Sequence, residues 1–169
     1  MKKYFLILSL LVSSSVFAEQ VIQAPEDFVA QAFTSTTPKA KTLWLNKEQK
    51  AEIADILQHN YNRLRIRYWP QGERSAWILE EIGKEAPITV GLVVEKQQLK
   101  QIKVLIYRES RGDEVKADFF TKQFVDAKLI DNKQLDKQID GITGATLSVR
   151  ALTKLARMAL WLDQERLAH

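Results

Sequence analysis

Hydrophobic and polar positions alternate most regularly in the middle of the chain. The stretches "ITVGLVVE" and "LKQIKVLIY", separated by a turn at "KQQ" (96–98), put Ile102, Val104 and Ile106 on one face. Successive strand side chains point to opposite faces, so this pattern predicts an antiparallel hairpin. "AWILEEI" predicts another strand just before it. Upstream, "RLRIRYW" sets Arg63, Arg65 and Arg67 on one face and Leu64, Ile66 and Tyr68 on the other, and "PQG" at 70–72 predicts the turn that ends it.

The period changes towards both ends. Ile53, Ile56, Leu57 and Tyr61 recur at helical spacing behind Asn46 and Gln49, which have the form of a capping box, so a helix is predicted over about 47–59. Leu152, Leu155, Ala156, Ala159 and Leu162 form the buried stripe of a second helix over about 147–165. "ADFFTKQF" predicts one or two helical turns, and Glu19 to Lys41 reads as an extended lead-in. Strands in the middle and helices at the ends predict an α+β fold, an antiparallel sheet with flanking helices in a single domain. Its parts are a signal peptide (1–18), an N-terminal extension and helix packed on the domain (19–75), and the domain proper (76–169).

The first of these parts alters the setting. "MKKYFLILSLLVSSSVFA" has a positive start at Lys2 and Lys3, an apolar run, and Val16 and Ala18 as small residues before a cut ahead of Glu19. The apolar run is too short for a stable membrane anchor. The expected product is exported or periplasmic, soluble, not membrane-spanning, and roughly 150 residues long, enough for one core. Two of the positive charges in the net +4 leave with the signal, so the balance gives no reason to invoke nucleic acid.

Absent residue types narrow the chemistry. Without cysteine there is no disulfide, thiol centre, iron–sulfur cluster or haem attachment. Two histidines, His59 and His169, are too few for a His-rich metal site, and no nucleophile elbow accompanies His59. No catalytic residues are assigned. Redox work by this chain would need an organic cofactor.

The candidate chemistry lies in "DGITGATLSVR" (140–150). Gly144 and Ala145 remove bulk just ahead of a helix start, and Thr146 adds a hydroxyl there. One reading is local: Thr143 or Thr146 caps the helix and Gly144 makes the turn. The other is that an anion approaches the unpaired N–H groups and the positive end of the helix dipole. "DGITGAT" resembles the Asp-x-x-(Ser/Thr)-Gly-Ala-Thr motif of the FMN-binding domain family, known from the C subunit of the sodium-translocating NADH:quinone reductase and the G subunit of the Rnf electron-transport complex. The order of segments over about 76–162 is also similar.

The resemblance implies FMN held covalently by a phosphoester at Thr146, attached by a separate exported flavin transferase that uses FAD. Asp140, Thr143, Gly144 and Ala145 would complete the motif, and Ser148 matches a serine common two residues after the threonine. Glu109 and Ser110 correspond to the Glu-Thr of a loop facing the flavin, with Ser110 in place of Thr and Arg111 where the family has Pro. The implied role is an exported electron carrier serving a membrane-embedded redox partner. The alternatives are a flavin-dependent reductase of a small substrate, for which no nicotinamide-binding glycine motif is present, and a non-redox binding module of the same fold.

Three features stay outside this reading. "RGD" at 111–113 is too short to indicate adhesion. The arginine stripe is a solvated strand face or a dock for an acidic redox partner. Trp44, Trp69, Trp77 and Trp161 are taken as core or flank residues.

Overall fold

The computed structural model describes residues 19–168. Residues 1–18, expected as a signal peptide, and His169 lie outside them. Six antiparallel strands form one sheet: β1 (Gln20–Val21), β2 (Lys41–Trp44), β3 (Arg65–Gln71), β4 (Arg74–Ile82), β5 (Pro87–Glu95) and β6 (Gln98–Tyr107), in the order β1-β6-β5-β4-β3-β2. Helices α2 (Lys47–Leu57) and α4 (Thr146–Ala168) share one core with one face of the sheet, and α1 (Pro25–Gln31) packs on the other. The fold is α+β in one domain, as the periodicity predicts. The segment expected as an extension supplies β1, α1, β2, α2 and β3.

Local signals account for the elements that were foreseen. Asn46 Oδ1 accepts the Gln49 N–H at 2.7 Å and Gln49 Oε1 accepts the Asn46 N–H at 3.1 Å, the reciprocal capping box at the start of α2. The α4 stripe Leu152, Leu155, Ala156, Ala159 and Leu162 is buried throughout. "ADFFTKQF" forms the single turn α3 (Asp118–Thr121) and a 3₁₀ turn (Lys122–Phe124). The β5–β6 turn puts Lys96 and Gln97 at φ 51° and 60°, the left-handed pair that matches the twist of a two-residue hairpin.

The structure corrects four local expectations. Glu19–Lys41 is not wholly extended: Pro25 starts α1, and Phe28, Val29, Ala32 and Phe33 bury the second sheet face. Leu64 lies before β3 and is 63% exposed rather than packed. β3 runs through Pro70, and the turn is Gly72–Glu73, inside the closing pair Gln71↔Arg74. Ile106 does not share a face with Ile102 and Val104. Thr89 pairs with Ile106 but Val90 with Val104, so Leu105 is an extra residue and the alternation flips there. Ile106 joins the α1 side, and Tyr107 takes its place on the α4 side.

α4 crosses the sheet with its ends fixed at opposite edges of the strands. Asp163, fully buried, accepts hydrogen bonds from Ser75 Oγ, from Gln97 Nε2 at 2.8 Å and from Arg166 Nε at 2.5 Å. This ties the helix C-terminal part to the turns at the far end of the sheet. The N-terminus at Thr146 therefore meets the end formed by the β4–β5 loop and the close of β6.

Candidate functional site

The first wall of the site is a turn. Ala145 N–H bonds to Ile142 C=O at 3.0 Å, and Gly144, at φ +85°, supplies the left-handed residue that such a turn needs. Ala145 C=O then accepts the Val149 N–H at 2.9 Å, so Ala145 occupies the cap position with no capping side chain. Among the described residues, neither the Thr143 nor the Thr146 hydroxyl has a hydrogen-bond partner, and the N–H groups of Thr146, Leu147 and Ser148 have no acceptor. The local reading of these threonines as caps is not what forms. An exposed hydroxyl stands at an uncapped helix start, where N–H groups and the macrodipole favour an anion.

The second wall is the segment after β6. The bulge in β6 turns Tyr107 towards α4, where its hydroxyl donates to Arg111 C=O at 2.6 Å and lies 3.2 Å from Ser148 Oγ. Burial pushes the Tyr107 phenol above its usual pKa, so it stays a donor. Gly112 is pressed onto α4: a Cβ there would sit 3.2 Å from both Ala145 Cβ and Ser148 Oγ. Buried Ser148 thus joins the loop to the first helical turn rather than opening into solvent.

The third wall is the β4–β5 loop. Glu109 Oε1 accepts the N–H groups of Lys84 at 2.5 Å, Glu85 at 2.8 Å and Ala86 at 3.1 Å. A Cβ on Gly83 would meet the same oxygen at 2.7 Å, so a larger residue there would push the carboxylate away from the loop. Glu109 fastens one loop to the other and brings Lys84 to the rim.

The three walls enclose a cleft of about 540 Å³, lined by Lys84, Glu109, Ser110, Arg111 and residues 144–148. Of the residues singled out in the sequence, Glu109, Ser110, Gly144, Ala145, Thr146 and Ser148 line it. Asp140 and Thr143 do not; both are exposed on the approach to the turn, and the Asp140 N–H donates to Gln123 Oε1 at 2.7 Å. Lys84, Arg111, Leu147 and the tether Tyr107 were missed as site residues. Arg111 stands out in the sequence as a departure from the family pattern and in "RGD", not as a site residue, and Lys84 carries no local signal because Glu109 places it.

A flavin mononucleotide fits these walls. Uncapped N–H groups and two cations suit its phosphate, Leu147 and Ala145 offer apolar surface, and the volume is that of a small-molecule site. Residues 83–161 match the family model described as FMN-binding domain, a span from the β4–β5 loop through most of α4. No curated protein matches the chain. Gly144, Ala145 and Thr146 of the motif lie in both the cleft and the family match, and residues 83–161 form a domain of the FMN-binding domain family.

Proposed function

We propose that this protein is an exported electron carrier with FMN joined to Thr146 by a phosphoester. The observation that carries this reading is the Thr146 hydroxyl, exposed and without a partner among the described residues, at an uncapped helix start in a cleft rimmed by Lys84 and Arg111. Attachment makes a bond from Thr146 Oγ1 to the flavin-side phosphorus of FAD, breaks the pyrophosphate link and releases AMP, while the hydroxyl proton leaves to a base. No side chain in the cleft hydrogen-bonds Thr146 to act as that base, which fits a separate exported flavin transferase.

The N–H groups of Thr146, Leu147 and Ser148 would hold phosphate oxygens, and Lys84 and Arg111 would offset their charge. The bound flavin supplies one- and two-electron chemistry, and the protein supplies position and electrostatics. No helix among the described residues is long and apolar enough to cross a membrane, so the carrier would reach a membrane-embedded redox partner by docking. Produced in an exporting host that holds the transferase, the protein should be yellow and keep its flavin through denaturation. Thr146→Ala should lose the flavin and Thr143→Ala should retain it. Flavin that dialyses away completely in denaturant refutes the covalent bond.

A further inference from the structure

The sheet is split. β3 and β4 pair from Gln71↔Arg74 to Tyr68↔Trp77 and then part: Arg65–Arg67 pair with β2 alone, and Ile78–Ile82 pair with β5 alone. The hairpin closes on Gln71↔Arg74, so the alternation of an antiparallel ladder aims the backbone N–H and C=O of Ile78 and Glu80 into the gap. Side chains span it instead of backbone bonds. Arg63 reaches Glu80 at 2.9 Å, and His59 reaches Glu81 at 2.9 Å.

The gap is a slot of about 200 Å³ whose walls carry residues from both sheet faces, Ile66 and Leu79 on one side and Arg65, Arg67 and Ile78 on the other. It continues into a groove of about 500 Å³, with which it shares Tyr61, Arg63 and Glu80. That groove ends at Ile82 and Pro87, which flank the loop bringing Lys84 to the flavin cleft. Exposed Leu64 and Ile82 lie at this same end of the strands.

We infer that this split is the docking slot for an extended acidic segment of the redox partner, which adds a short strand to the free edge of β4 beside the flavin. The inference rests on the carrier role proposed above. Two features select the occupant. An unpaired strand edge takes an extended backbone, and three arginines against Glu80 on the slot walls favour carboxylates. Arg65 stacks on Trp44 at 5.4 Å, and Arg67 has no ion-pair partner among the described residues, so both are available to an incoming carboxylate.

The test uses the flavin-loaded protein and membranes of its native host, energised with their own reductant. Amide exchange over Ile78–Ile82 should slow when the membranes are added. Arg65→Glu with Arg67→Glu should abolish that slowing and lower membrane-driven flavin reduction about tenfold at low salt. Flavin content and reduction by dithionite should not change. The inference is overturned if the membranes reduce the flavin with no change in exchange at these amides, or if the double variant is reduced at the wild-type rate. Equal protection by protein-free anionic vesicles would assign the slot to lipid and overturn it too. Membranes that never reduce the flavin would overturn the carrier role, and this inference with it.

Discussion

Replacing Glu109 with alanine should loosen the cleft without touching Thr146. One carboxylate oxygen accepts three N–H groups of the β4–β5 loop, from Lys84, Glu85 and Ala86. A hydrogen bond to a charged group is worth about 1.5–3 kcal/mol when buried. This loop is largely exposed, and water would replace much of what is lost. We therefore expect a total cost of about 2–3 kcal/mol, not three full bonds. For a domain of this size each kcal/mol lowers Tm by about 2–4 °C, which puts the drop at roughly 5–10 °C. Glu109→Gln keeps an acceptor oxygen but loses its charge, and should fall about midway. Thermal unfolding measures the total, and amide exchange at Lys84, Glu85 and Ala86 measures the cause. If those amides exchange at the wild-type rate in Glu109→Ala, the carboxylate does not hold the loop and the clamp argument fails.

Two further outcomes follow from groups away from the cleft. The hydrogen bond with Glu81 raises the pKa of His59 above its ordinary value, opposed mainly by partial burial and less by nearby Lys154. A raised folded pKa stabilises below the unfolded value near 6.5, and this is lost as pH climbs through the folded value. Melting temperature should therefore decline over the range just above pH 6.5, and His59→Gln should flatten that decline. Asp163→Asn leaves Arg166 facing a neutral partner in a buried network with Ser75 and Gln97, and should cost about 3 kcal/mol in urea unfolding. A loss under 1 kcal/mol would mean that Arg166 finds water instead.

The parts of the fold legible in the sequence were those specified within a few residues. The capping box of α2, the stripe of α4 and the β5–β6 hairpin each repeat a local period or place a cap three residues from its partner. Features set by tertiary contact were not legible. α1 and the two residues after it show only Phe28, Val29, Ala32 and Phe33 as an apolar stripe, too short to stand out, and the helix forms because a sheet face lies beneath it. The bulge at Leu105, which sends Ile106 to one face and Tyr107 to the other, depends on the β5 register. The same division holds in the site. "DGITGAT" marks the helix start, whereas the loop at Lys84–Ala86 is recruited by a carboxylate more than twenty positions away. The parting of β3 from β4 leaves no trace in "RLRIRYW", whose alternation continues through it.

The central claim is a bond at one oxygen, and peptide mass spectrometry addresses it directly. Trypsin cleaves after Lys137 and Arg150, releasing the peptide "QIDGITGATLSVR", which carries Thr143, Thr146 and Ser148 together. In protein exported alongside the transferase, this peptide should gain the mass of FMN less one water, and the fragment ions should place the addition on Thr146. An unmodified peptide from yellow protein, or an addition on Thr143 or Ser148, would contradict the account.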